Sequence, residues 1–313
     1  MRARRRRVTL VPKFSPPPTK TLYCLLRSIF LLLAIGLACT VASAAQVERV
    51  DNETALQRAY ARLYNFDFTG AQAILDRQRR VDPQAPLLVA TKAAVYLFSE
   101  LSRLRILELD FFTDDEKVVD RRKLVPDPAV RQKFFETVAE SDKLANARLA
   151  SKPDDPDATL ARCMTTGLVT DYAALIEKRR FGSFALAKQS HVWARKLLDL
   201  KPPVTDAYMT FGTAEYIVGS LPFFVRWFVH LDQVEGSKKK GMDELELVAK
   251  EGKYYGPFAR MLLAVIALRE KRPWDAESLL ARLTADYPEN PLLRKELERT
   301  RKLANPVVAG PKR

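Results

Sequence analysis

Apolar residues recur three and four positions apart along most of the chain, in long segments rich in Ala, Leu, Arg, Lys and Glu. That spacing lines one face of a helix. The segments are separated by prolines in close pairs, at Pro83/Pro86, Pro126/Pro128, Pro153/Pro156, Pro202/Pro203 and Pro288/Pro291. Proline has no amide proton and clashes with the preceding turn, so each pair predicts a joint between helices. No run alternates with a period of two. The expected fold class is all-α.

Two stretches share one plan. In "RPWDAESLLARLTADYPENP", Ala276, Leu280, Leu283 and Pro288 stand at offsets 0, +4, +7 and +12, and "DFTGAQAILDRQRRVDPQAP" places Ala71, Leu75, Gln78 and Pro83 at the same offsets. An amphipathic segment precedes each, "PFARMLLAVIALRE" and "TALQRAYARLYNF". Two weaker copies put Ser141 before Pro153 and Ser190 before Pro202.

This layout resembles the tetratricopeptide repeat, a helical hairpin of about 34 residues with a small residue at the helix crossing and a proline at the exit. The clear units are Asn52–Ala85 and Pro257–Asn290. Exit prolines lie 70, 49 and 86 residues apart, which are not multiples of one repeat, so inserts are expected. One is Asp110–Pro128 and the other surrounds "VGSLPFFVRWFVHLDQVEGSKKKGM". The resemblance implies a helical-hairpin solenoid over residues 45–305, with a concave face built from the first helices where peptides dock.

Gly219-Ser220-Leu221-Pro222, the apolar segment after it, and the basic Gly236–Gly241 followed by "MDELELVAK" resemble a eukaryotic repeat family of mitochondrial outer membranes and inclusion-body clearance. The match covers about a quarter of the chain. It implies a repeat fold more than a shared cellular role.

Charge changes the picture mainly at the front. The formal charge is +14, but eight of the 52 basic residues lie in 1–44 with no acidic residue; the other 44, against 38 acidic residues, leave +6. Those are interleaved with carboxylates, the pattern of a solvated surface rather than a phosphate-binding stripe, and no nucleic-acid partner is expected. Behind the basic leader, Ile29–Cys39 and then Ala42-Ser43-Ala44 resemble a signal-peptide core and cleavage site. The uncharged run Ser28–Gln46 would otherwise serve as an uncleaved anchor. Export to a bacterial periplasm or envelope surface is expected, with 306–313 as a tail. Cleavage after Ala44 leaves Cys163 as the only cysteine, hence no intramolecular disulfide and a packing role in "TLARCMTTGLV".

Catalytic patterns are absent from the sequence. Gly236 and Gly241 have the spacing that opens a phosphate loop, but Met242 and Asp243 stand where Lys and Ser or Thr are needed. His191 and His230 are 39 residues apart, and neither belongs to a metal-ligand pair. Asp114-Asp115 and Asp154-Asp155 read as helix caps and solubilising charge. Ile217–Leu231 is apolar almost all round yet too short to span a bilayer, which points to burial.

The sequence thus predicts an exported, non-catalytic repeat scaffold that binds a protein or peptide, with no cofactor or metal. Lys238, Lys239 and Lys240 are the candidate partner-binding residues, expected exposed on a glycine-bounded turn. The alternatives are a membrane-peripheral protein using 217–231 and 236–241, or an envelope enzyme with insert-borne catalytic groups.

Overall fold

The computed structural model describes residues 51–113, 124–221 and 234–305. Every described residue belongs to one compact unit, which begins at Val50. The leader, the tail, Asp114-Asp115 and the apolar stretch 222–231 with Trp227 and His230 lie outside the described residues.

Twelve α-helices and no strand occur among the described residues: α1 (Asn52–Tyr64), α2 (Phe68–Val81), α3 (Pro86–Arg103), α4 (Leu109–Thr113), α5 (Pro128–Ser151), α6 (Pro156–Asp171), α7 (Arg180–Asp199), α8 (Tyr208–Ser220), α9 (Lys238–Glu251), α10 (Gly256–Arg269), α11 (Pro273–Asp286) and α12 (Pro291–Ala304). The proline pairs act as the sequence suggests. Pro86, Pro128, Pro156 and Pro291 each open a helix, where a missing N–H costs nothing and a fixed φ helps. Asp127, Asp155 and Asn290 cap three of these starts by accepting backbone N–H groups. The stops share a device too. Phe66, Arg105 and Lys271 follow α1, α3 and α10 in the left-handed region, at φ 64°, 61° and 57°. There the next N–H reaches back to the last turn, from Asp67 to Arg62, Ile106 to Leu101 and Arg272 to Ala267.

Neighbouring helices pack as pairs: α1 with α2, α3 with α5, α6 with α7, α8 with α9, and α10 with α11; α12 covers α11. Each second helix brings a small buried residue to the crossing, in order Ala71, Ser141, Ser190, Gly241 and Ala276. Four positions later Leu75, Ala145, Ala194, Leu245 and Leu280 are buried in turn. The α9 pair is the one the exit prolines do not mark. Gly241 also explains the glycine spacing there, because a Cβ on it would lie 2.7 Å from the Gly212 carbonyl oxygen and from the Tyr216 nitrogen. The segment Gly236–Gly241 is therefore a helix start pressed against α8, where an exposed turn was expected.

The first helices meet inside. From Pro86 to Ser102, α3 has no exposed residue, and α10 has none at all. Phe98 of α3 meets Phe258 of α10 edge-on at 5.5 Å. On α1, Tyr60 stacks on Tyr254 at 5.2 Å and Tyr64 leans on Tyr287 at 5.3 Å. The Tyr64 hydroxyl donates to the Tyr254 carbonyl, and Asn290 donates to the Tyr64 carbonyl, both at 2.8 Å. The first described helix thus closes on the turns before α10 and α12. Aromatic side chains of α1, α3 and α10 pack against one another and against the turns beside them.

Candidate partner-binding site

The three lysines lie in the first turn of α9, whose N-terminus is capped by the Ser237 hydroxyl. They do not form one free cationic patch. Lys238 donates to Glu270 at 2.7 Å and lies 5.7 Å from the Tyr216 ring centroid. Tyr216 donates to the same Glu270 oxygen at 3.1 Å. Lys240 donates at 2.7 Å to Glu215, which is fully buried. Lys239 is 82 % exposed and pairs with Asp243 one turn on, at 2.6 Å. Of the three lysines expected to be exposed, Lys239 is the most open, while Lys238 and Lys240 keep 42 and 41 % of their side chains exposed and pair with Glu270, just past α10, and with Glu215 of α8.

Glu215 organises this region. Its carboxylate accepts the backbone N–H groups of Glu235, Gly236 and Ser237 at 3.1, 2.7 and 2.9 Å, besides the Lys240 ammonium. Burial pushes its pKa up, but the Lys240 bond and the backbone donors outweigh burial and hold it below the usual carboxylate value. Across the same crossing, burial pushes Glu244 up to about 7, with Glu215 and Asp243 adding to the rise and Lys240 opposing it. Glu270 moves the other way, lowered first by its bond from Lys238.

A matching arrangement stands at the other insert. Glu100, near the end of α3, is 2 % exposed and accepts the Asp127 N–H at 2.8 Å just before α5 begins. Arg103 holds both of its oxygens, at 2.7 and 2.9 Å. In both insert-bearing pairs, then, a buried glutamate on the first helix grips the backbone where the insert returns. Asp206 does the same for the turn between α9 and α10, accepting the N–H groups of Lys253, Tyr254 and Tyr255 at 2.8, 2.9 and 2.7 Å. These carboxylates are structural anchors, because their acceptor sites are filled by the chain itself.

Candidate chemistry elsewhere is sparse among the described residues. No group of three or more His, Cys, Asp or Glu side chains is arranged to hold a metal ion. Cys163 is buried, and burial raises its thiol pKa to about 11, which suits packing. The His191 Nδ1 lies 2.8 Å from the Ala187 carbonyl, and its ring meets Phe211 edge-on. No described helix is long and apolar enough to cross a membrane. Sequence reasoning missed the three anchoring carboxylates, since a glutamate or aspartate within a helical segment looks like any solvated charge. Comparison with family models, with curated proteins and with solved structures gives no match.

Proposed function

We propose that this protein is a tetratricopeptide-like scaffold, exported by its leader to the bacterial envelope, which binds a protein or peptide partner and carries out no chemistry of its own. The observation that supports this reading is the fivefold recurrence of a helix pair crossing at a small buried residue, with a buried residue four positions on. Stacked pairs of this kind present large fixed surfaces built from many helices. With α3 and α10 buried, the partner docks on the outer surface, where Lys239 and turn residues such as Gln84, Lys152 and Lys271 are exposed.

The test is chemical cross-linking of the tagged, exported protein in envelope preparations, identification of the captured protein, and direct titration of that protein with parent and Lys239→Glu. Saturable binding weakened by the substitution at low salt supports the reading. Turnover of a substrate by the purified protein, with or without chelator, replaces it with the enzyme alternative. Binding to anionic liposomes alone replaces it with the membrane-peripheral one.

A further inference from the structure

A cavity of about 240 Å³ opens where three turns of the closed structure converge. Phe66 comes from the turn after α1, Leu107 from the turn after α3, and Pro291 and Leu292 from the start of α12. Together they give the cavity apolar walls. Its polar rim is Ser102 and the charged Arg105, Glu108 and Lys295. Arg105 engages Glu108 through Nε at 2.7 Å and Nη2 at 3.2 Å, and Lys295 approaches the same carboxylate at 3.2 Å. Two cations thus share one anion. The Arg105 bond, opposed by partial burial and helped by Lys295, holds Glu108 below the usual carboxylate range, so it stays ionised and the rim carries one net positive charge at neutral pH.

The uncommitted donors are as informative as the committed ones. Both oxygens of Glu108 face Arg105, whereas the guanidinium has five N–H groups in a fixed fork and the ammonium three. Arg105 is 73 % exposed and Lys295 52 %, so their remaining N–H groups can be reached from solvent. A second carboxylate at the rim would turn two cations and one anion into a balanced set. The cavity is smaller than the roughly 300–1,000 Å³ of pockets that enclose cofactors or drug-sized ligands. Its size fits one apolar side chain beside one carboxylate. Those two groups occur together in the last residue of a polypeptide.

We infer that this cavity binds the C-terminal residue of a partner polypeptide, with its apolar side chain against Phe66, Leu107 and Leu292 and its free carboxylate between Arg105 and Lys295. The inference rests on the scaffold reading for the choice of a polypeptide as ligand. It adds the site and the end of the partner that is held.

The experiment uses the full exported protein and fluorescein-labelled pentapeptides ending in Leu, Val or Phe, each made with a free carboxylate and with a terminal amide. Fluorescence anisotropy is expected to give saturable binding of at least one free acid and at least tenfold weaker binding of its amide. The double variant Arg105→Gln/Lys295→Gln should lose the preference for the acid, and Leu107→Trp, which fills the cavity, should weaken acid and amide alike. Circular dichroism of each variant confirms folding. Equal binding of acid and amide overturns the proposal, as does no binding of any peptide up to about 1 mM. The scaffold reading fails separately. If the cross-linked envelope partner binds the double variant as well as the parent, the scaffold stands and this cavity is not its site.

Discussion

The first and last clear hairpins, α1–α2 and α10–α11, follow one sequence plan and end in different surroundings. Ala71 and Ala276 are both fully buried at the crossing, and Leu75 and Leu280 are both 1 % exposed four residues later. At the +7 position they part. Leu283 lies in an apolar cluster with Leu293 and Leu297 of α12. Gln78 is buried too, at 6 % against 1 % exposed, but it donates to Asn52 at 2.8 Å, and Asn52 donates to Asp82 at 2.7 Å, so a polar chain ties the start of α1 to the end of α2. The crossing residue is dictated inside the hairpin by how near two backbones come. The +7 residue is dictated by what the neighbouring element offers.

Crowding both crossings should have the largest effect on the two hairpins. Ala276→Arg and Ala71→Arg each put a long, charged side chain where there is no room, combining overpacking of about 1–3 kcal/mol with an unpaired buried charge. Both should lower the thermal midpoint by roughly 6–20 °C, on the order of 3–5 kcal/mol. A large effect at one and a negligible effect at the other would show that the two crossings are not equivalent.

Exchanging the +7 residues sharpens the contrast. Leu283→Gln buries an amide among leucines and should cost about 2–4 kcal/mol in urea denaturation. Gln78→Leu removes the donor to Asn52 and should cost roughly 1 kcal/mol. Equal losses would mean that surroundings do not decide this position.

A third contrast is electrostatic, between Glu244 and Glu215 on facing sides of the α8–α9 crossing. Burial raises the folded pKa of Glu244 to about 7 from 4.5, so the unfolded chain releases this proton first and the folded protein loses stability as pH rises from about 4.5 to 7. Glu244→Gln removes that loss, and its stability relative to the parent should climb across this window and then level off. Glu215 has a lowered folded pKa, so its contribution is present above its unfolded value and is lost as pH falls through the folded one. Glu215→Gln should therefore be most harmful at neutral pH. Parallel pH profiles for the two variants would refute the opposed shifts.

The smallest expected effects lie on the surface. Lys271→Gly relieves a left-handed backbone at the α10 stop and should stabilise by up to about 1 kcal/mol. Lys239→Glu should leave the melting curve close to the parent's, because its pair with Asp243 is exposed. Lys240→Glu should be far worse, since it sets a second carboxylate against buried Glu215. Matching melting curves for these two lysine variants would remove Lys240 from the α8–α9 anchor.

Much of the helical layout was legible in the sequence, because helical spacing and proline are local signals. Ala71, Ser141, Ser190 and Ala276 were found from their distance to an exit proline, and each is buried. The α9 crossing escaped that method. Position +12 from Gly241 is Lys253, so the interval of 86 residues between Pro202 and Pro288 hid one pair. The small–Leu–Val pattern Gly241, Leu245, Val248 was present, but its glycine and the three lysines beside it resembled a turn. The closure could not be read at all. Tyr60 and Tyr254 come together from distant parts of the chain, and nothing local to either marks it as one half of a stacked pair. For the candidate site, the sequence located the basic residues but not their partners, since Glu215 and Glu270 reach them from other helices.

Closure of the first helix pair on the last rests on Tyr60 and Tyr64 of α1 meeting Tyr254 and Asn290. Its most direct test is the distance between spin labels at Glu53→Cys, in α1, and Lys253→Cys, in the turn before α10, measured by pulsed dipolar spectroscopy. Those residues form an ion pair at 2.8 Å. The closed arrangement predicts one narrow distribution centred below about 20 Å, allowing two helix-packing widths of 8–10 Å for the label arms. An open row of pairs would separate the same labels by three or four such widths, roughly 24–40 Å. A dominant population at that longer distance would contradict the closed structure.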